Sequence, residues 1–313
     1  MKLAVVNDWF SDKMNQWNKD GFLKCLDIFQ REYGWEVIFF KKSEPGIFKH
    51  PYVYFHYVDD VKKAVLDYKP DAILGFSDLS RPYLGELKGS GIPIALAFSG
   101  GPYDDYEEVP DIIFVESQVY YDRFKARGRN VVKAFGTNTE IFKPIPEQPK
   151  IFDACYPATM ATWKRHYLFA EALGSRGLVC GWWQPHEPHC WQVCQKYGTA
   201  LLHHQNAESV NLIYNMSRTC VITADSTGGC QRTVLESMAC NVPVIVTVDS
   251  DKTTEFVRAC GVGEIVYPEP EAIRQAVEKW KNQKVSTREW ILNNYSEKIY
   301  ASKLKEGIMS ICH

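Results

Sequence analysis

The sequence predicts an α/β protein with two doubly wound parallel-sheet domains. Short apolar runs alternate with amphipathic segments along the chain, as is typical of strands joined by helices. The runs are almost continuously apolar, as expected for strands that helices cover on both faces. The alternation is interrupted at 145–150, where two prolines and polar residues indicate a connection between domains. We therefore expect one domain at 1–145, a second at 146–295, and a terminal helical segment at 296–313.

Each predicted element follows from local periodicity. The segment 21–31 is a clear helix, because Phe22, Cys25 and Phe29 fall on one face. In the first domain the predicted strands are 3–7, 35–40, 52–57, 72–76, 93–98, 112–115 and 131–135, with further helices at 60–67, 81–88 and 118–127. The second domain repeats the alternation over 151–266 and ends in helices at 271–281 and 296–311, the last capped by Ser296.

The stretch 217–248 indicates an anion site. It predicts a buried strand at 220–224, a loop with Gly228 and Gly229, a helix at 230–240 and a second strand at 243–248. Two glycines before a helix let the backbone approach a ligand, and the helix start offers unpaired N–H groups.

Three polar side chains follow the two glycines. Arg232 and Thr233 lie in the predicted first turn of the helix, and Glu236 follows one turn later. A nucleotide with a ribose would fit such a site, because the site combines a phosphate-binding loop, a cation and a carboxylate that accepts hydrogen bonds from hydroxyls. An ordinary α/β crossover with a tight turn gives the same pattern.

The segment GGCQRTVLESMACNVPVIVT resembles the nucleotide-sugar-binding motif of the retaining GT-B glycosyltransferases of the group 1, family 4 type. In that motif a Glu, seven residues and a second Glu precede Met-Ala-Cys-Gly-x-Pro-Val-Ile. Glu236 falls on the second Glu, which in the family binds the ribose hydroxyls. Gly228 stands at the first Glu, which usually holds hydroxyls of the donor sugar, so the identity of the sugar stays open.

Other segments resemble the same family in order and spacing. They are FGTNTEIFKP at 135–144, TWKRHYLFAEA at 162–172 and AESVNLIYNMS at 207–217. The resemblance implies a GT-B fold, two Rossmann-like domains facing a cleft, in which the last helix often crosses back to the first domain. It also places Lys164 where a family lysine contacts the donor diphosphate. The arginine that usually accompanies this lysine is not evident, and Arg165 or Arg232 is the expected substitute.

The resemblance implies that positive charge, rather than a protein nucleophile, carries catalysis. Lys164 and Arg232 are expected to stabilise the leaving diphosphate. The expected donor-binding residues are Arg165, Gly228, Gly229, Cys230, Gln231, Thr233, Glu236 and His203, the last near the nucleobase. No cofactor and no metal are expected beside the donor. The cluster His186, His189, Cys190 and Cys194 matches no standard zinc spacing and is interpreted as structural.

Polar residues that follow strands of the first domain are the acceptor-side candidates. They are Asp8, Trp9, Asp78, Ser99 and Gly100. Carboxyl ends of parallel strands meet at one edge of a sheet, so these residues are expected at the interdomain cleft. Asp78 is the favoured catalytic or orienting carboxylate, with Asp8 behind it. The competing interpretation is that Asp78 caps the helix that follows.

Composition limits the function classes. The chain has 313 residues, 45% of them hydrophobic, and a net charge of −2, which provides no general attraction to nucleic acid or anionic membranes. Its apolar runs are strand-length, so neither stable membrane insertion nor a secretory signal is expected, and the predicted location is cytoplasmic. The ten cysteines are expected to be reduced, because several lie in predicted core elements.

The function implied by the resemblance is a glycosyltransferase. It would move a hexosyl or pentosyl group from a nucleoside diphosphate sugar to an unidentified acceptor, with retention and without metal. Gly228 motivates a second hypothesis, a non-catalytic nucleotide-sugar-binding protein. An epimerase or synthase-like GT-B enzyme is a third. The acceptor is a saccharide or metabolite, or a modified base in nucleic acid, the last motivated by loop tryptophans and a basic cluster at 123–129.

Overall fold

The structure is a computed structural model that describes residues 1–8, 21–99, 108–181, 189–203, 205–229 and 231–312. The chain divides into two compact units. Unit 1 comprises 1–136 and 297–313, and unit 2 comprises 137–296. The division therefore precedes the predicted boundary at 145. Side chains of unit 2 explain the difference, because Asn211 accepts from the Lys143 N–H at 3.0 Å and Asn215 accepts from the Ile145 N–H at 2.7 Å.

The elements alternate along the chain as expected. The strands are β1 Lys2–Val6, β2 Glu36–Lys42, β3 Gly46–Lys49, β4 Tyr54–Val58, β5 Ala72–Phe76, β6 Ile94–Ala97, β7 Ile112–Val115, β8 Val131–Lys133, β9 Phe152–Pro157, β10 Gly177–Cys180, β11 Ala200–Leu202, β12 Ser217–Ile222, β13 Val244–Thr247 and β14 Gly263–Val266. The helices are α1 Gly21–Arg31, α2 Val61–Tyr68, α3 Arg81–Leu87, α4 Gln118–Ala126, α5 His166–Leu173, α6 His189–Tyr197, α7 Ala207–Met216, α8 Thr233–Ala239, α9 Asp251–Cys260, α10 Pro270–Trp280, α11 Arg288–Asn294 and α12 Glu297–Met309.

The described strands of unit 1 form one sheet in the order β3-β4-β2-β1-β5-β6-β7-β8. Neighbouring strands are parallel except β3, which pairs antiparallel with β4. Sequence analysis predicts the other strands of this sheet but misses β3. The reason is physical: β3 is a four-residue edge strand whose Ile47 is 67% exposed, so no buried apolar run marks it.

Helices cover both faces of this sheet. Side chains alternate across a strand, so β1 contributes to two separate cores. Leu3 and Val5 pack in a cluster with residues of α1 and α12, whereas Ala4 and Val6 pack with residues of α2, α3 and α4 on the other face. This two-sided burial is why the strands are continuously apolar in sequence.

Unit 2 has a parallel sheet in the order β11-β10-β9-β12-β13-β14. The chain starts at β9, moves outward to β11, and returns to β12 beside β9. The strand order therefore reverses between β9 and β12, as it does in unit 1 between β1 and β5. Doubly wound sheets bind ligands outside the carboxyl ends of the strands at such switch points. The predicted fold class, two Rossmann-like doubly wound units, is confirmed.

Two further expectations concern cysteine pairing and membrane insertion. No disulfide joins the cysteines in the described ranges, most of which are buried. None of the helices built from described residues is both long enough and apolar enough to cross a membrane.

Candidate functional site

The loop after β12 is shaped by its own hydrogen bonds. The Asp225 carboxylate accepts from the Thr227 N–H at 2.8 Å, and the Asp225 N–H donates to the Trp163 carbonyl at 3.0 Å. Helix α8 begins at Thr233, three residues after the predicted start at 230. The Gln231 N–H, just before the helix, donates to Thr253 Oγ1 at 3.2 Å.

Gly228 packs against the Trp163 ring. A Cβ at position 228 would lie 2.7 Å from Trp163 Cζ3 and 2.9 Å from Cε3, and the φ of Gly228 is not in the left-handed region. Glycine is therefore needed here for room rather than for backbone conformation. In the motif that this segment resembles, a Glu stands at the position of Gly228.

Lys164 brings a buried cation to the switch point of unit 2. It ends the short 3-10 turn Thr162–Lys164 after β9, and it is 6% exposed. Its Nζ donates to Gln231 Oε1 and lies 4.3 Å from the centroid of the Trp163 ring. Burial, together with the Lys164 charge, lowers the pKa of His166 to about 3, so this adjacent imidazole is neutral.

The guanidinium of Arg165 is bound within unit 2. It donates to both carboxylate oxygens of Asp249, at 2.5 and 2.7 Å, and to the Thr223 carbonyl at 2.6 Å. It also donates to Thr247 Oγ1 at 3.0 Å. Arg165 thereby joins the turn after β9 to the ends of β12 and β13. Its donor-binding role stays a prediction, and the contacts assign its guanidinium a structural use.

Glu236 is held in place by a buried tyrosine. The hydroxyl of Tyr214, on α7, donates to Glu236 Oε2 at 2.8 Å. Tyr214 is 0% exposed, and burial followed by the Glu236 charge raises its pKa well above the ordinary value. The hydroxyl is therefore a proton donor at neutral pH, which fixes one oxygen of a half-buried carboxylate in the first turn of α8.

Other predicted donor-site residues lie close by in the fold. Arg232 is half-buried and immediately precedes α8. Thr233 Oγ1 donates to the Pro157 carbonyl at the end of β9, at 2.8 Å. The Gln231 side-chain amide donates to the Gly229 carbonyl. Cys230 is outside the described residues. The Thr233 contact joins the start of α8 to the end of β9.

His203 lies away from this group. It is exposed and follows β11, the edge strand of the sheet, and its carbonyl accepts from Gln205 Nε2 at 2.8 Å. Its predicted contact with a nucleobase remains a prediction. His186, the first residue of the His/Cys cluster considered as a metal site, is outside the described residues. The described residues contain no group of three or more His, Cys, Asp or Glu placed to hold a metal ion.

The acceptor-side candidates follow strands of unit 1. Asp8 follows β1 and is exposed, and Ser99 is half-buried after β6. Asp78 begins the 3-10 turn Asp78–Ser80 after β5, and the N-cap of α3 is Ser80. Both interpretations of Asp78, as a catalytic or orienting carboxylate and as a helix cap, stay predictions. Trp9 and Gly100 are outside the described residues.

Sequence reasoning missed several residues that organise these sites. They are Asn7, Tyr83, Trp163, Tyr214 and Asp249. Asp249 had a usable signal, because it follows a predicted strand. Tyr214 had one too, because it lies in the motif-like segment at 207–217. Trp163 had the same kind of signal, because it lies in the motif-like segment at 162–172. Tyr83 had none, since its role depends on a contact with Asp8, which is distant in sequence.

Comparisons with known proteins agree with this geometry. The family model described as glycosyl transferases group 1 matches residues 190–297. Sucrose-phosphate synthase from Thermosynechococcus elongatus superposes with a TM-score of 0.78, at 14% identity over 98% of each chain. HepE from Anabaena, solved with UDP-glucose, superposes with a TM-score of 0.75 at 12% identity, over 99% of this chain and 100% of its own.

A third similar structure is AviGT4, a glycosyltransferase involved in avilamycin A biosynthesis. Its TM-score is 0.69, at 16% identity over 100% of this chain and 98% of its own. None of the curated proteins matches the sequence significantly. At these identities the solved structures establish the fold. Residues 190–297 thus match the group 1 glycosyl transferase model, and the chain has the GT-B fold of the similar solved structures.

Proposed function

We propose that the protein transfers a sugar from a nucleoside diphosphate sugar to a hydroxyl acceptor. The observation that carries this proposal is that a buried cation and an anchored carboxylate follow the two neighbouring strands at one switch point. Lys164 follows β9, and Glu236 lies in the helix after β12. A nucleotide sugar needs both, since its diphosphate is anionic and its ribose presents hydroxyl donors.

Glu236 is the proposed ribose ligand. Tyr214 holds Oε2 at 2.8 Å, which sets the orientation of the carboxylate before any ligand arrives. Preorganised acceptors bind hydroxyls more tightly because less side-chain entropy is lost on binding. A carboxylate has lone pairs for more than one donor, so the same group can accept from Tyr214 and from ribose.

Lys164 and Arg232 are the proposed diphosphate ligands. The Lys164 ammonium lies at the switch point, where it donates to the neutral amide oxygen of Gln231. A diphosphate oxygen is a stronger acceptor than an amide, so it would replace Gln231 as the partner of this cation. We assign Arg165 a positioning role instead, because Asp249 and the strand ends already bind its guanidinium.

The proposed reaction needs no protein nucleophile. The bond between the anomeric carbon and the diphosphate oxygen breaks, and the diphosphate leaves with the electron pair. The acceptor oxygen forms the new bond to the anomeric carbon, and its proton passes to the departing diphosphate. Charge on the diphosphate grows in the transition state, so Lys164 and Arg232 stabilise that state more than the bound donor. We propose retention of the anomeric configuration from the family resemblance.

A turnover assay tests the proposal. The full chain is incubated with UDP-glucose, GDP-mannose or ADP-glucose, and release of the nucleoside diphosphate is followed with and without glucose. UDP-glucose is the first choice, because HepE was solved with it. Acceptor-dependent release supports a transferase.

The same assay separates the alternatives. The position of Trp163 beside Gly228 favours one second candidate, a non-catalytic binding protein, because no carboxylate stands at position 228 to hold the donor sugar. Tight binding in calorimetry without any release would favour that candidate. Transfer to single-stranded DNA, but not to glucose, would favour the nucleic-acid acceptor.

A further inference from the structure

Two buried asparagines of α7 bind the segment 139–145, which lies near the start of unit 2, shortly after the chain leaves unit 1. Asn211 Oδ1 accepts from the Lys143 N–H at 3.0 Å, and Asn215 Oδ1 accepts from the Ile145 N–H at 2.7 Å. Asn215 Nδ2 also donates to the Lys143 carbonyl at 2.9 Å. Buried side-chain amides need hydrogen-bond partners, so these contacts hold the segment on α7.

Phe142 of this segment contacts the tyrosine that holds Glu236. The rings of Phe142 and Tyr214 are T-shaped, with centroids 6.0 Å apart and an interplanar angle of 71°. Both rings are buried. T-shaped pairs have a preferred geometry, so Phe142 limits the positions that the Tyr214 ring adopts. Because the Tyr214 hydroxyl donates to Glu236 Oε2 at 2.8 Å, the position of the ring sets the orientation of the carboxylate.

Arg288 provides a second connection between Phe142 and Glu236. Its Nη1 donates to the Phe142 carbonyl at 2.7 Å and to the Ala239 carbonyl at 3.1 Å. Ala239 is the last residue of α8, the short helix in which Glu236 lies. Arg288 Nη2 donates to the Thr139 carbonyl at 2.9 Å. The backbone of Phe142 is therefore fixed relative to α8, as its ring is fixed relative to Tyr214.

We propose that Phe142 is a positioning residue for Glu236, acting through Tyr214, and that ligand contact at Glu236 is thereby coupled to the segment 139–145. The inference rests on the proposed ribose contact of Glu236 and adds a form of regulation at the same site. A bound ribose fixes the carboxylate, the carboxylate fixes the Tyr214 hydroxyl, and the tyrosine ring fixes Phe142. Such coupling is reciprocal, so a change in the segment changes the affinity for the ribose.

Calorimetry with matched ligands and variants tests the positioning role. The ligands are the nucleoside diphosphate that wild type binds most tightly among UDP, GDP and ADP, and its 2′,3′-dideoxy form. The ratio of the two affinities depends on the ribose hydroxyls alone. The variants are Tyr214→Phe, Phe142→Leu and the double variant. Phe256→Leu is the matched control, because Phe256 is a buried ring of the same unit whose T-shaped partner, 5.2 Å away, is Tyr295.

The expected result is a loss of preference for the form with ribose hydroxyls. Tyr214→Phe should reduce this preference about tenfold, because the Glu236 carboxylate loses the hydrogen bond that orients it. Phe142→Leu should reduce it about threefold, as expected when one aromatic pair is lost. The double variant should lose no more than Tyr214→Phe, since both changes act through one hydroxyl. Phe256→Leu should leave the preference unchanged.

Hydrogen exchange in wild type tests the coupling without any variant. Saturation with the nucleoside diphosphate should slow exchange in peptides covering 139–145 about tenfold, because the Lys143 and Ile145 N–H groups donate to α7. Saturation with the dideoxy form should slow it much less. Peptides covering α10 are the control, and neither form should slow their exchange as strongly.

Four results would overturn the inference. Equal affinity ratios in Phe142→Leu and Phe256→Leu would make Phe142 purely structural. Additive losses in the double variant would mean that Phe142 does not act through Tyr214. Equal slowing of exchange at 139–145 and in α10 would reflect general stabilisation of unit 2 instead of coupling. Wild-type protein that binds none of the three nucleoside diphosphates would contradict the proposed function, and the inference with it.

Discussion

Arg165 and Asp249 form a bidentate ion pair, with nitrogen–oxygen distances of 2.5 and 2.7 Å, that joins the turn after β9 to the end of β13. The backbone of Arg165 has a φ of 50°, a conformation that costs a residue with a Cβ about 1–3 kcal/mol. The ion pair offsets this cost. Since Lys164 is the preceding residue, the pair also sets where the catalytic candidate lies. Arg165, which was expected to bind the donor, thus stabilises the strand ends beside the proposed donor site.

Asp249→Asn should lower the free energy of unfolding by about 1 kcal/mol at neutral pH, a value discounted because the Asp249 side chain is 36% exposed. Burial raises the pKa of Asp249, but hydrogen bonds from Arg165 and Thr247 outweigh burial, and the pKa is lowered. Because the pKa of Asp249 is lower in the folded state, the ionised carboxylate stabilises the fold at pH values above its ordinary pKa of about 4. This contribution is lost as the pH falls through the folded-state pKa.

Urea unfolding between pH 7 and pH 3 measures this effect. The stability gap between wild type and Asp249→Asn should narrow as the pH falls below about 4. Asp67→Asn, a change at an exposed residue of α2, is the control and should show little gap at any pH. A gap for Asp249→Asn that stays constant across this range would mean that the ion pair is not its source.

Lys164→Met should reduce turnover about 100- to 1000-fold, because the ammonium stabilises charge that develops on the leaving diphosphate. Affinity for the nucleoside diphosphate should fall much less, since the ground state carries less of that charge. Steady-state kinetics and calorimetry measure the two effects. Lys196→Met on α6, where the ammonium lies 4.9 Å from the Tyr197 ring, is the control. Equal losses of turnover and affinity would make Lys164 a simple binding residue.

Gly228→Ala should destabilise unit 2 by about 1–3 kcal/mol, because the new Cβ would lie 2.7 Å from the Trp163 ring. Combining it with Trp163→Leu should recover part of that loss. Gly85→Ala is the matched control. Gly85 lies inside α3, and a methyl group there would meet none of the described atoms within 4 Å, so alanine should stabilise by up to about 1 kcal/mol. Thermal unfolding that shows no penalty for Gly228→Ala would rule out the close packing of Gly228 against the ring.

The fold could be predicted because its strands are buried on both faces. Residues 72–76 are continuously apolar in sequence and form β5 over the same span, fully buried. The edge strand β3 could not be found in this way, because Ile47 and Phe48 are exposed and leave no buried run. Periodicity thus reveals strands that are buried, and it does not reveal an edge strand whose side chains are largely exposed.

Sequence analysis could identify only those residues of the candidate site that lie within contiguous motifs. Lys164 Nζ donates to Gln231 Oε1, and Glu236 lies in the first turn of the helix that follows Gln231. The partners that orient them are distant in sequence. Asp249 is 84 residues from Arg165, so only the folded sheet shows that they pair.

The central claim, that Glu236 binds the ribose hydroxyls of a nucleoside diphosphate, is tested most directly by a calorimetric cycle. UDP and 2′,3′-dideoxy-UDP are each titrated into wild type and Glu236→Ala. If Glu236 accepts from those hydroxyls, removing either partner should cost about 1–3 kcal/mol, and removing both should cost little more than removing one. Fully additive losses, or UDP binding that is unchanged by Glu236→Ala, would contradict the assignment.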